Sequence, residues 1–411
     1  MDRTKLINDN GMHLYKDSDF NTFNITISFI ANPNNRECAI YDLLCEYMLK
    51  ANKKYSETDI AKKIKELYCI DIDFLTHTYG SKRLFEATLN IVSPKAVGDD
   101  YTEDAYAFAR DLLLYPDFDR PDILETIKRV KLSGAKSDVS EPFEKIDSLY
   151  HGKVVYRPQT EYENSIDLDY IKKMIDSISL DDLKALYEKT INEQSFYRGL
   201  AFGDISDEEF KRFRKFFPYK TSQELLDFTG NYEVIDSDLT LYDDSIREST
   251  VYITYSIGEL NRGARDLLFE ILSGSGDLCI DILREKYGLV YYTDSEIFFF
   301  GDYLYIVAEV DKRNIKDLIR GVNEIVEILK DPEKLKPLLE KAKEAIKQED
   351  YIISENQSAM FLELFNKIIG VNKEFDYDQF LRGIDDIKPE DITKLTKDMK
   401  RQNIFVYRGD A

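Results

Sequence analysis

The stretch ILREKYGLVYYTDSEIFFF, residues 282–300, sets Arg284 and Tyr291 on either side of Gly288. The pattern predicts a helix that stops at Gly288, in the usual C′ position, followed by a strand of aromatic and β-branched residues. A cation is favourable in the last turn of a helix. A chain reversal at Gly288 returns Tyr291 toward the same side. Residue chemistry leaves two uses open. Arg284 can pair with a surface carboxylate while Tyr291 packs as an ordinary strand aromatic. Alternatively, guanidinium and phenol together hold a polar group of something bound.

Other chemistries find little support. The three histidines, His13, His77 and His151, lie far apart in the chain, so no His-x-x-x-His pair can sit on one helix face. His77 falls in a strand pattern and His151 near a helix end, both suited to structural hydrogen bonding. A serine or cysteine nucleophile needs a base beside it, and no G-x-S-x-G elbow is present. SGSGD (Ser273 to Asp277) lacks the lysine and spacing of a phosphate-binding loop, and reads better as a turn between two helices. Carboxylates are everywhere and no pair stands out.

Composition narrows the class. The net charge of −22, from 78 acidic and 56 basic residues, excludes a nucleic-acid binder, which needs clustered positive charge. The first residues show no apolar core of a signal peptide, and the longest apolar runs are far short of a membrane span. Cys38, Cys45, Cys69 and Cys279 form no C-x-x-C pair. Few, irregular cysteines suit reduced thiols, so the expectation is a cytoplasmic protein without membrane or nucleic-acid partners.

The elements that must position Arg284 and Tyr291 come from a pattern written twice. In the first half, NITISFIA reads as a strand, ECAIYDLLCEYMLKAN and SETDIAKKIKELY as helices, IDIDFLTHTY and RLFEATLNIV as strands. Ser56 is the natural N-cap of the second helix. Helices then fill about 104–188, and YRGLAFGDI closes the half as a strand. The second half repeats the order: STVYITYSIG, ARDLLFEILSG, DLCIDILREKY, LVYYTDSEIFFF, a turn at Gly301-Asp302, YLYIVAEV, helices over about 314–399, and the strand NIFVYRGD. This predicts an α+β protein of two homologous domains, 1–217 and 243–411, each a mainly antiparallel sheet packed with helices. Periodicity fades between them, so 218–242 is assigned as linker.

This duplicated order resembles the pitrilysin/insulinase-type zinc metallopeptidases, the family of the mitochondrial processing peptidase and its bacterial relatives. The most specific match is Arg284, then Gly288-Leu289, then Tyr291, preceded by the turn with Gly274 and Gly276. The resemblance implies one half of a clamshell peptidase. Members that cleave peptides carry His-x-x-Glu-His on the first helix. Here the histidine positions correspond to Leu43 and Tyr47, and only Glu46 of the motif is kept. The family's third ligand, a glutamate, falls near Glu125.

The resemblance therefore implies a non-catalytic subunit, with no metal of its own, paired with a homologous zinc-binding peptidase subunit that carries His-x-x-Glu-His. In the family the tyrosine donates a hydrogen bond to the developing oxyanion and the arginine holds a substrate carbonyl. Arg284 and Tyr291 would take those roles in trans, on small unfolded peptides. The alternative is a peptide-binding or scaffold protein of the same fold that has lost catalysis altogether.

Overall fold

The computed structural model describes residues 6–156, 160–191, 195–222, 224, 226–228, 233–243, 246–258, 262–274, 276–298, 302–371 and 377–409. The chain begins β1 (Ile7–Asp9), β2 (Met12–Lys16), β3 (Thr22–Ile30), α1 (Asn35–Met48), α2 (Glu57–Glu66), β4 (Asp71–Tyr79) and β5 (Lys82–Val92). It continues through α3 (Pro94–Val97), α4 (Thr102–Leu114), α5 (Pro121–Ser140), α6 (Pro142–Lys153), β6 (Val155–Tyr156), α7 (Leu168–Asp176), α8 (Leu180–Thr190), β7 (Ser195–Phe196), β8 (Arg198–Gly203) and α9 (Asp207–Phe216). Then come β9 (Lys220–Thr221), β10 (Glu233–Val234), β11 (Leu239–Tyr242), β12 (Ser249–Ser256), α10 (Arg262–Leu272), a π-helix (Ile280–Lys286), β13 (Val290–Ile297) and β14 (Tyr303–Val310). Last are α11 (Ile315–Leu329), α12 (Pro332–Glu355), α13 (Gln357–Ile369), α14 (Tyr377–Gly383), α15 (Pro389–Thr396) and β15 (Lys400–Arg408).

The chain folds as two compact units. The first gathers 1–140, 158–228 and 356–373; the second gathers 141–157, 229–355 and 374–411. The division is thus not the single cut that boundaries at 217 and 243 expect. Helix α6 belongs to the second unit and α13 to the first. Strands β9, β10 and β11 fall within 218–242, so that stretch is not plain linker either. Strands of two to four residues hold too few alternations to be read as a period.

In the first unit the sheet order is β1-β2-β8-β3-β5-β4, and in the second it is β11-β15-β12-β14-β13. Apart from the added β1, the two orders are the same. Each has one parallel pair, β2 with β8 and β11 with β15, among antiparallel neighbours.

Alternation explains the layering. Along β3, Phe23, Ile25, Ile27 and Phe29 enter the first core; along β12, Val251, Ile253 and Tyr255 enter the second. The opposite faces are covered by the helices from the distant segments. In the second unit, α6 lays Tyr150 on Tyr252, with ring centroids 4.1 Å apart, and its hydroxyl shares a 2.7 Å hydrogen bond with the Thr254 hydroxyl. In the first unit, α13 is tied down where the Tyr197 hydroxyl donates to the Ile369 carbonyl at 2.8 Å and Thr22 bonds Gln357 at 2.6 Å. Ser56 caps α2 through a reciprocal pair with Asp59.

Candidate functional site

Arg284 lies in the π-helix, whose wider turns are marked by Tyr287 N–H donating to the Ile282 carbonyl at 3.2 Å. Such turns often occur at functional sites. The helix ends in a glycine turn: Gly288 has φ +61°, Gly288 N–H donates to the Arg284 carbonyl at 2.8 Å, and Leu289 N–H donates to the Leu283 carbonyl at 2.9 Å. Lys286 and the Tyr287 hydroxyl both bond Glu324 of α11, at 2.6 and 2.7 Å, which fixes the turn to the helix behind it.

The chain then enters β13 through a bulge. Val290 pairs with Val310 and Thr293 with Ala308, so Tyr291 and Tyr292 share one partner position, Glu309. A bulge of this kind re-aims side chains. Tyr291 is 83 % exposed, and the Arg284 guanidinium carbon lies 5.7 Å from its ring centre. Among the described residues the Tyr291 hydroxyl has no hydrogen-bond partner. Arg284 makes one loose ion pair, Nε to Glu285 at 3.7 Å, and is itself half exposed. Tyr291 is therefore no packed strand aromatic. The two groups are brought together, with their donors directed to solvent.

The surroundings were not legible in the sequence. Tyr292 meets Phe143 of α6 edge-on at 6.2 Å, and its hydroxyl donates to Asp294 at 3.4 Å. Burial, then Asp294, raises the Tyr292 phenol pKa. Burial and neighbouring Glu248 push the Glu309 carboxyl above its usual range. The one sequence signal was the doubled tyrosine, which breaks the expected alternation.

The positions that correspond to zinc ligands are arranged quite differently. Leu43 and Tyr47 are both 0 % exposed, in the core beneath α1. Tyr47 stacks on Phe118 at 5.8 Å and donates to the Asp117 carbonyl at 2.6 Å. Glu46 is held by Lys131 at 3.3 Å and Lys50 at 3.8 Å. Glu125 is exposed and pairs with the buried Lys128 at 3.1 Å. Each carboxylate already has its own ammonium, and neither neighbouring side chain is a ligand. Among the described residues no three of His, Cys, Asp or Glu are grouped to hold a metal ion.

The histidines are apart. His13 Nδ1 lies 3.3 Å from the Gly199 carbonyl, and burial lowers its pKa. His77 bonds Glu86 at 3.0 Å, which raises its pKa. His151 faces Asp147 at 3.5 Å. The glycine-rich stretch lies between α10 and the π-helix: Gly276 N–H donates to the Glu270 carbonyl and Asp277 caps Ile280 N–H at 3.2 Å. Ser275 within it, and Gly301 of the β13–β14 turn, lie outside the described residues.

Solved structures decide the architecture. A conserved protein from Enterococcus faecalis V583 superposes with a TM-score of 0.79 at 17% identity, covering 97% of this chain and 96% of that one. A peptidase M16 inactive domain from Pseudomonas fluorescens matches with a TM-score of 0.74 at 16% identity, over 97% of this chain and 95% of that one. The fold is that of M16 peptidase domains. The periplasmic protease PqqL from Escherichia coli also matches, with a TM-score of 0.69 at 10% identity; this chain covers 44% of its length. No family model and no curated protein matches the sequence. The M16 fold carries both sheets and their helices here. No helix among the described residues is long and apolar enough to cross a membrane.

Proposed function

We propose that this chain is the non-catalytic subunit of a heterodimeric zinc peptidase and completes its partner's active site through Arg284 and Tyr291. The observation that carries the reading is the contrast between the two sites. The histidine positions are apolar core, whereas the phenol and guanidinium are displayed side by side with unused donors. The homologous partner would bring His-x-x-Glu-His and the zinc, which supplies the activated water. Tyr291 would donate to the oxyanion as it forms, and Arg284 would hold the peptide carbonyl. The substrate is a small unfolded peptide, and the pair works in the cytoplasm. The likeness to an inactive M16 domain supports a chain without catalysis of its own.

The chain alone should bind no stoichiometric zinc and cleave no peptide. With the partner present, Tyr291→Phe should leave the complex intact and lower kcat by about 10²–10³-fold. Arg284→Ala should raise KM as well, because it also holds the ground state. The measurement is a steady-state assay of the reconstituted heterodimer after complex formation has been matched by size-exclusion chromatography. Turnover of Tyr291→Phe within about twofold of wild type would reject the role and leave a peptide-binding or scaffold protein.

A further inference from the structure

We propose that helix α11 positions Arg284: Gly321 and Glu324 seat the π-turn that carries it, so that Glu324 governs how well a peptide carbonyl is held without touching the peptide. The inference rests on Arg284 being a donor to the bound peptide. A π-turn is rare, because its wider hydrogen-bonded rings are poorly favoured without outside support, and this one spans only Ile280–Lys286. Arg284 has little to orient it in its own right. Its ion pair to Glu285 is loose, at 3.7 Å, and the Tyr291 ring near it is itself exposed. The direction of the guanidinium is therefore inherited from the backbone of the turn, and whatever fixes that backbone fixes the donors.

The backbone is fixed from one side. The buried Leu283, next to Arg284 in sequence, and Tyr287 beyond it both lie against α11 at Gly321. A Cβ on Gly321 would stand 2.7 Å from Leu283 Cδ2 and 3.5 Å from the Tyr287 ring, so a side chain there would push the turn or its leucine away. Glu324 lies three residues on, on the same face of the helix. Its two carboxylate oxygens accept from the Lys286 ammonium at 2.6 Å and the Tyr287 hydroxyl at 2.7 Å. Bonds to an ionised carboxylate are the stronger kind. Arg284 is thus bracketed, with Leu283 before it and Lys286 and Tyr287 after it all held by one face of α11. The first unit has neither the arginine nor the seat. There α2 ends on an ordinary bond, from Leu67 N–H to the Lys63 carbonyl at 3.0 Å. Leu67 stands in the place of Lys286 and offers no side-chain donor. Tyr68, in the place of Tyr287, bonds Asp99 at 2.9 Å, in the loop between α3 and α4 and not on a helix face. The double hold on one carboxylate occurs where Arg284 is.

One part of the test needs no partner. In hydrogen exchange on the full chain, Glu324→Ala, checked for folding by circular dichroism, should speed the amides of Tyr287, Gly288 and Leu289 by at least about threefold and leave those of β14 unchanged. In the reconstituted heterodimer, with a quenched-fluorescent unfolded peptide, Glu324→Ala should raise KM by about 3–10-fold and keep kcat within about twofold of wild type. Glu324→Gln, which keeps an acceptor for Tyr287, should recover part of both effects. Added to Arg284→Ala, Glu324→Ala should raise KM no further, because it acts through the arginine; a merely structural role would add in full. Unchanged exchange at the turn would overturn the seat. If Arg284→Ala raises KM and Glu324→Ala does not, or raises it equally in both backgrounds, the positioning role is overturned while the site stands. If Arg284→Ala itself leaves KM unchanged, the site fails and the positioning role falls with it.

Discussion

Helix α1 of the first unit reads DLLCEYM from Asp42, and helix α10 of the second reads DLLFEIL from Asp266. The parallel runs through the structure. Leu43 and Leu267 are both fully buried, as are Tyr47 and Ile271. Burial raises the pKa of Asp42 and of Asp266 alike. A second pair repeats further on. Lys128 is buried, bonds Glu125 three residues before it, and donates to the Asp176 carbonyl at 3.4 Å; Lys343 does the same with Glu340 and the Asp385 carbonyl at 3.3 Å. Where the resemblance would put zinc ligands, the first unit carries what the second unit carries, a packed helix face and a structural Glu–Lys pair.

The units part at one sheet edge. Segments ELYCI (66–70) and EKYGL (285–289) occupy matching places between helix and edge strand. In the first unit, Tyr68 and Cys69 take left-handed backbone, φ +58° and +57°, and β4 then pairs with β5 in unbroken register. In the second unit Gly288 makes the reversal and β13 carries the bulge. Lys65 and Ile72 stand where Arg284 and Tyr291 stand. One edge is built for regular pairing and the other to present two donors. Function is to be sought where the copies differ, and structure where they agree.

That comparison can be broken at the core first. Leu43→Ala and Leu267→Ala should each cost about 2–5 kcal/mol, by chemical denaturation, since both remove a buried side chain from a packed helix face. A cost near zero at Leu43 alone would mean that its site is not core and could have housed another side chain. The turns give a smaller effect of opposite signs. Gly288→Ala should lose about 1–2 kcal/mol, because a Cβ is strained at φ +61° though nothing crowds it. Cys69→Gly should gain about 0.5–1 kcal/mol by relieving the same strain. If Cys69→Gly destabilises, the cysteine side chain is holding something that its exposure does not show.

The smallest effect is electrostatic. Asp42 and Asp266 have pKa values above the ordinary 3.8 because burial disfavours their charge. A raised folded pKa means that the folded state holds the proton more tightly. Stability from these groups is therefore full at low pH and lost as pH rises through the folded value. Asp42→Asn and Asp266→Asn should leave the melting temperature unchanged below about pH 3.8 and raise it at pH 7. A rise at one site only would show that Lys131 near Asp42, or Arg262 near Asp266, offsets the burial.

Much of this was legible in residues. The alternation in NITISFIA and STVYITYSIG, the Ser56 cap and Gly288 marked their elements, because period and capping are local properties. Leu43 and Tyr47 in place of histidines also needed no structure to notice. The bulge was legible only as the doubled tyrosine of VYYTDSEI, because a break in alternation does not by itself say that a residue is extra, and that shows only against the partner β14. Strand β11 was missed because LTLY offers four residues and half-buried leucines. The placement of α6 and α13 escaped for a different reason: amphipathic patterns say that a face is covered, never by which sheet.

That placement bears on how the protein is made. The interior strands β8 and β15 come last among the strands of their sheets, and the first unit also needs α13, residues 357–369. During synthesis, β2, β3, β4 and β5 emerge long before the strand that joins β2 to β3, and the face later covered by α13 stays open longer still. Neither unit can close until almost all of the residues described have been made. Pairings over such sequence distances are slow to form, and exposed sheet faces and edges invite association with other chains. Assembly should thus be nearly all-or-none and late, and a nascent chain paused before residue 356 should be a ready client for chaperones.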